Sequence, residues 1–75
     1  MIDYGYDKLI GSQIRNIRIE KGLTQDAFAA KLQTGGVDIT RSALAKIEVG
    51  QRHIYAFEIK AIKDVLETTF EKLFP

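Results

Sequence analysis

The sequence predicts an all-α domain of five short helices, and three observations predict it. Apolar residues recur at spacings of three and four along separate stretches, which is the helical period. Threonines stand where three of those stretches begin (Thr24, Thr40 and the Thr68–Thr69 pair), as helix caps do. Glycines close two stretches, Gly22 the first and Gly50 the third, where a left-handed residue ends a helix. No strand-like alternation, internal repeat or low-complexity run interrupts this pattern. At 75 residues and 45% apolar, the chain reads as one domain (1–75) with a thin core, burying only about 60–65% of its unfolded surface.

The elements follow in order. Residues 1–6 read as an N-terminal arm carrying Ile2, Tyr4 and Tyr6 around Gly5. Asp7 caps a first helix to about Lys21, with Leu9, Ile10, Ile14, Ile17 and Ile19 as its apolar stripe. Arg18 falls beside that stripe and needs a carboxylate partner. Thr24 caps the second helix, with Leu23 and Phe28 as a hydrophobic staple and Phe28, Ala29 and Leu32 facing inward. It fades near Gln33, before the double glycine Gly35-Gly36. Thr40 caps the third, stapled by Ile39 and Leu44 at the same spacing. The fourth runs from Tyr55 or Ala56 to Leu66 on Phe57, Ile59, Ile62, Val65 and Leu66. A last turn carries Phe70, Leu73 and Phe74.

The third helix has two unlike faces. Leu44, Ile47 and Ala43 share the inner side, whereas Arg41, Ser42, Ala45 and Lys46 occupy an outer arc of little apolar bulk. A firmly seated helix with a small, polar, basic outer face suits a groove, and the obvious groove is that of DNA. Net charge is only +1, but it is unevenly spread. Positions 8–53 hold eight Lys or Arg against four Asp or Glu, so the basic excess surrounds this helix.

Other chemistry is largely excluded. There is no cysteine, and with one histidine, His53, and no clustered carboxylates no metal site or cofactor is expected. No nucleophile–base pair or phosphate loop suggests an enzyme. No apolar run nears the ~20 residues of a membrane span, and no signal peptide is visible, so a cytoplasmic protein is the expectation.

Two short capped helices in succession suggest a helix-turn-helix, with its core at about 24–49. Ile14-Arg15-Asn16-Ile17-Arg18, then Gly22-Leu23-Thr24-Gln25, Ala29 and Leu32, resemble the λ-repressor/Cro-type (XRE-type) helix-turn-helix family. Arg41-Ser42-Ala43-Leu44-Ala45-Lys46-Ile47-Glu48, Gly50, Arg52 and the closing Phe70-Glu71-Lys72-Leu73-Phe74 continue the resemblance across positions 9–74.

The resemblance implies a sequence-specific transcriptional regulator binding an operator in double-stranded DNA. It implies major-groove reading by Thr40, Arg41, Ser42, Ala45 and Lys46, and phosphate contact by Gln25, Gln51 and Arg52. It also implies a buried structural ion pair between Arg18 and Glu48. Phe70, Leu73 and Phe74 either plug the core or form a homodimer face. The weak monomer charge favours a dimer on two half-sites.

Three features depart from the family. The turn before the third helix is about five residues longer, at 33–38; Asp38 there would repel phosphate; and Lys60 and Lys63 stand where apolar residues are usual, their stems snorkelling. These features motivate an alternative, an antitoxin-like helical module that binds a protein partner and has little DNA contact.

Overall fold

In the computed structural model, which describes residues 4–75, the chain forms five helices: α1 (Tyr4–Glu20), α2 (Gln25–Thr34), α3 (Arg41–Glu48), α4 (Ala56–Leu66) and α5 (Phe70–Leu73). Local chemistry sets most of the starts. Thr24, Thr40 and Thr69 are extended, and each hydroxyl accepts from the backbone N–H three residues on, at 3.0, 3.1 and 3.3 Å. At Tyr55 the following helix supplies its own cap, since the Glu58 carboxylate accepts the Tyr55 N–H at 3.0 Å. The ends of α1 to α4 share one form. Gly22, Gly36, Gly50 and Glu67 all take positive φ, and each is followed by a residue whose N–H reaches back five positions to a helix carbonyl.

The insertion before α3 is built the same way. α2 extends to Thr34, Gly36 turns left-handed, and the Val37 N–H closes on the Leu32 carbonyl at 3.0 Å. Val37 thereby tucks against the core beside Leu32. The Gln33 side-chain amide then donates to the Ile39 carbonyl at 3.1 Å, pinning the loop to the start of α3. The extra residues are consumed by an ordered turn, and Ile39 still arrives fully buried ahead of Thr40.

One core holds the helices. Ile10, Ile14, Phe28, Leu32, Ile39, Leu44, Ile47, Ile54, Ile62, Leu66 and Leu73 form it. α1 packs most extensively on α3, and α2 bridges α3 and α4. The crossing of α1 and α3 is close because of Gly11. A β-carbon there would collide with the Ile47 carbonyl oxygen.

Several expectations change. Tyr4, Gly5 and Tyr6, expected in an arm, belong to α1; positions 1–3 of that arm lie outside the described residues. Asp7 is therefore no cap. It sits on the buried stripe with Ile10, Ile14, Ile17 and Arg18, while Leu9 and Ile19 face outward, 55% and 52% exposed. In α4, Glu58 takes the inner position expected of Phe57, which is 64% exposed. Among the described residues no helix is long and apolar enough to cross a membrane.

Because the obstacle at Gly11 is backbone rather than a yielding side chain, Gly11→Ala should force α1 off α3 and cost on the order of 1–3 kcal/mol. The check is urea unfolding: its midpoint should fall with an unchanged slope. Gly35→Ala is the control. Gly35 has φ −79°, and its nearest neighbours at 3.4 and 3.6 Å leave room for a methyl, so the midpoint should hardly move.

Candidate nucleic-acid interface

The outer face of α3 is presented by burial of its inner face. Leu44 and Ile47 are fully buried and Glu48 nearly so, which turns Arg41, Ser42 and Lys46 to solvent and leaves Ala45 half-buried between them. Thr40 is exposed at the start, and Gln51 lies exposed just past the end. Thr40, Arg41, Ser42, Ala45 and Lys46 were expected to read base edges and Gln51 to hold a phosphate, and all but the half-buried Ala45 are exposed.

Both ends of this helix are pinned. At its C-terminus the Arg18 guanidinium grips Glu48 with two hydrogen bonds, Nε at 2.7 Å and Nη2 at 3.0 Å. Arg18 Nη1 also donates to the Leu23 carbonyl at 2.8 Å, and Gln25 Nε2 donates to Glu48 at 3.1 Å. One carboxylate thus joins the ends of α1, α2 and α3. Among the described residues no buried side-chain nitrogen or oxygen lacks a hydrogen-bond partner.

Gln25, expected at a phosphate, uses one hydrogen of its side-chain amide on Glu48. The Nε2 group carries a second, so it can hold Glu48 and donate outward at the same time.

Arg52 has a partner that was not expected. Its guanidinium meets the nearly buried carboxylate of Glu58 in a bidentate pair at 2.9 and 2.8 Å and also donates to the His53 carbonyl at 2.9 Å. Three of its five N–H donors go into closing the loop between α3 and α4, which leaves Nε–H and one Nη2–H on a partly exposed side chain for any phosphate contact. The Arg52 hydrogen bond, chiefly, holds the Glu58 carboxyl below its ordinary value, with the Tyr55 backbone N–H adding to it against the cost of burial. His53 Nδ1 lies 3.2 Å from Asp7 and ties this loop to α1.

Leu73, expected with Phe70 and Phe74 either in the core or on a pairing face, is fully buried and belongs to the core. Phe70 and Phe74 remain 45% and 38% exposed. Lys60 and Lys63 both reach Asp64, at 3.4 and 3.2 Å, and Lys63 lies 5.2 Å over the Phe70 ring.

Among the pairings missed from sequence were Arg52–Glu58 and Asp7–His53. A signal for the first existed. Glu58, Ile62 and Leu66 share a face at spacings of four, and a carboxylate in an apolar stripe requires a cation.

A family model described as helix-turn-helix matches residues 14–73. Among solved structures, the restriction-modification controller protein C.AhdI from Aeromonas hydrophila is similar, with a TM-score of 0.82 at 28% identity over 95% of this chain and 96% of that one. The DNA-binding domain of BldD has the same fold, with a TM-score of 0.82 at 19% identity over 99% and 100% of the two chains. No curated protein sequence matches.

Two outcomes test these ties. Glu48→Gln leaves Arg18 buried without its counter-charge and should cost about 3–5 kcal/mol, much of the stability of a domain this size, read as a fall in melting temperature. For Glu58 the folded-state pKa is depressed, so its contribution is fully present above the ordinary value of 4.5 and is lost as pH falls through the lowered one. Thermal melts from pH 7 to pH 3 should therefore show Glu58→Gln less stable at neutral pH and the gap closing in acid.

Proposed function

Because the chain belongs to the helix-turn-helix family, whose members are DNA-binding transcription regulators rather than enzymes, we propose that α3 enters the major groove and reads an operator there. The observation that carries this reading is the exposed outer face of Arg41, Ser42 and Lys46 on a helix whose inner face is buried and whose two ends are pinned. Arg41 takes a guanine through O6 and N7, the commonest specific contact. Ser42 and Thr40 add hydroxyl contacts and Ala45 touches a thymine methyl. Lys46, Gln51 and the outward hydrogen of Gln25 hold phosphates.

With Arg18 and Arg52 both occupied in ion pairs, one copy offers few cations to the DNA backbone. A homodimer on two half-sites about one helical turn apart supplies the rest. The exposed Tyr6, Leu9 and Phe74, with the Tyr6 and Phe74 rings edge to face at 6.4 Å, support a pairing surface at that end. The regulator acts in the compartment that holds the DNA, the cytoplasm.

A protein partner is a second role, favoured by the exposed Tyr55 and Phe57 rings stacked at 6.3 Å beside the α3–α4 loop. A stoichiometric complex formed by protein that ignores DNA would favour that role over operator binding.

Selection from a random duplex library, followed by titration at several salt concentrations, tests the primary reading. Two chains per duplex and a steep salt dependence are expected. Arg41→Ala should cost about 1–3 kcal/mol on the selected site and relax preference at one base in each half. Lys46→Ala should weaken all sequences alike and flatten the salt slope by about 0.9 for each phosphate it no longer neutralises. Binding indifferent to salt and to both substitutions would overturn it.

A further inference from the structure

Asp26, in the first turn of α2, lies 3.5 Å from Arg41 Nε, across the turn that separates the two helices. Both side chains are well exposed, 79% and 63%. An ion pair this open contributes little to folding. Nor do α2 and α3 need it, since Phe28, Leu32, Leu44 and Ile47 and the Gln25–Glu48 bond already hold them together. The pair therefore wants an explanation outside stability. The contact is made at Nε, on the side of the guanidinium. The contact is not made at the end-on pair of nitrogens, Nη1 and Nη2, and it is this fork that matches the two acceptors of a guanine.

We infer that Asp26 is a positioning residue for Arg41, holding the guanidinium by its side so that its outer fork is presented to a base. The inference rests on the proposed reading of DNA by α3 and adds a residue to it. A free arginine at the first position of a helix samples many rotamers and meets any nearby phosphate as readily as a base. α3 carries no acidic residue in its own first turn, where the helix dipole disfavours a cation. Asp26 supplies that negative charge from the neighbouring helix. It also disfavours an approaching phosphate at the same spot, so the arginine gains more from a guanine than from the sugar-phosphate backbone. Asp26 touches no base and acts through Arg41.

The test uses the full 75-residue chain as wild type, Asp26→Asn, Arg41→Ala and the double variant. Each is titrated against duplexes carrying all four base pairs at every operator position and against random-sequence DNA. Asp26→Asn should reduce discrimination about 3- to 10-fold, and only at the position that Arg41→Ala flattens. Affinity for random DNA should stay level or rise, and the melting temperature should fall only slightly, by what loss of a first-turn carboxylate from the dipole of α2 accounts for. The double variant should discriminate no worse than Arg41→Ala alone. Retained wild-type discrimination in Asp26→Asn, additive losses, or an equal loss at every position overturns the positioning role while leaving base reading by Arg41 intact. If Arg41→Ala itself keeps the wild-type ratios at every position, the underlying reading of DNA falls, and this inference with it.

Discussion

The Arg18–Glu48 pair is the interaction on which the rest of the molecule depends. Glu48 is the last residue of α3, and its side chain is 1% exposed; Arg18 lies near the end of α1 and is 10% exposed. Removing two charges from water costs several kcal/mol per ion, and only close geometry with further hydrogen bonds offsets it. That geometry is present, because the planar guanidinium meets both carboxylate oxygens and its third nitrogen finds the Leu23 carbonyl. A hydrophobic pair could hold α1 to α3 as strongly. It could not fix their relative angle and register as a fork on a carboxylate does, and the angle of α3 is what sets the direction of Arg41 and Lys46. The same carboxylate reaches Gln25, so the first turn of α2 is oriented by the atoms that seat the end of α3.

The second ion pair alters the electrostatic balance of the candidate interface. Arg52 closes on Glu58, where it ties the α3–α4 loop to the first turn of α4 and supplies that turn with a counter-charge. This strengthens the seat of α3 and leaves fewer cations outside it. A chain whose net charge is only +1, with two of its arginines turned inward, has a weak field for non-specific DNA. Its discrimination then rests on the few groups that do face outward. That is the setting in which the orientation of one arginine matters most.

The local elements were legible because their signals are local. Thr24 and Thr40 with the Leu23–Phe28 and Ile39–Leu44 staples require only neighbours in sequence, and α2 and α3 begin where those residues place them. Arg18 was legible as a residue in want of a carboxylate, and the family resemblance supplied Glu48. The two misplaced stripes share one cause. In α1 the buried positions are Asp7, Ile10, Gly11, Ile14, Ile17 and Arg18, a regular helical face on which an acid and an arginine occupy core sites; in α4 the face runs Glu58, Ile62, Leu66. A ranking by hydrophobicity turns such a helix toward Leu9 or Phe57, because the partner that makes Asp7 or Glu58 acceptable inside lies on another segment, the His53 ring or the Arg52 guanidinium. Asp26 was missed for the complementary reason. Its carboxylate suits the dipole of its own helix, and only the three-dimensional turn brings it to Arg41.

Those ionisable residues in core positions occupy places an apolar side chain could fill, while Leu9, Ile19 and Phe57 stand more than half exposed on the same helices. Leu9 lies beside Tyr6 and the chain end at Pro75, and Tyr6 both packs its ring against Phe74 and donates to the Pro75 carbonyl at 3.3 Å. Water contact on such a patch is unfavourable by about 25 cal/mol per Å² of apolar area, so covering it with a second copy offsets what the buried charges cost in core volume. The proposed association would also double the cations brought to DNA, so that each half-site need supply only half of the phosphate contacts. On this argument the thin core, the inward arginines and the outward apolar residues are linked, and the proposed pairing of two chains would answer all three.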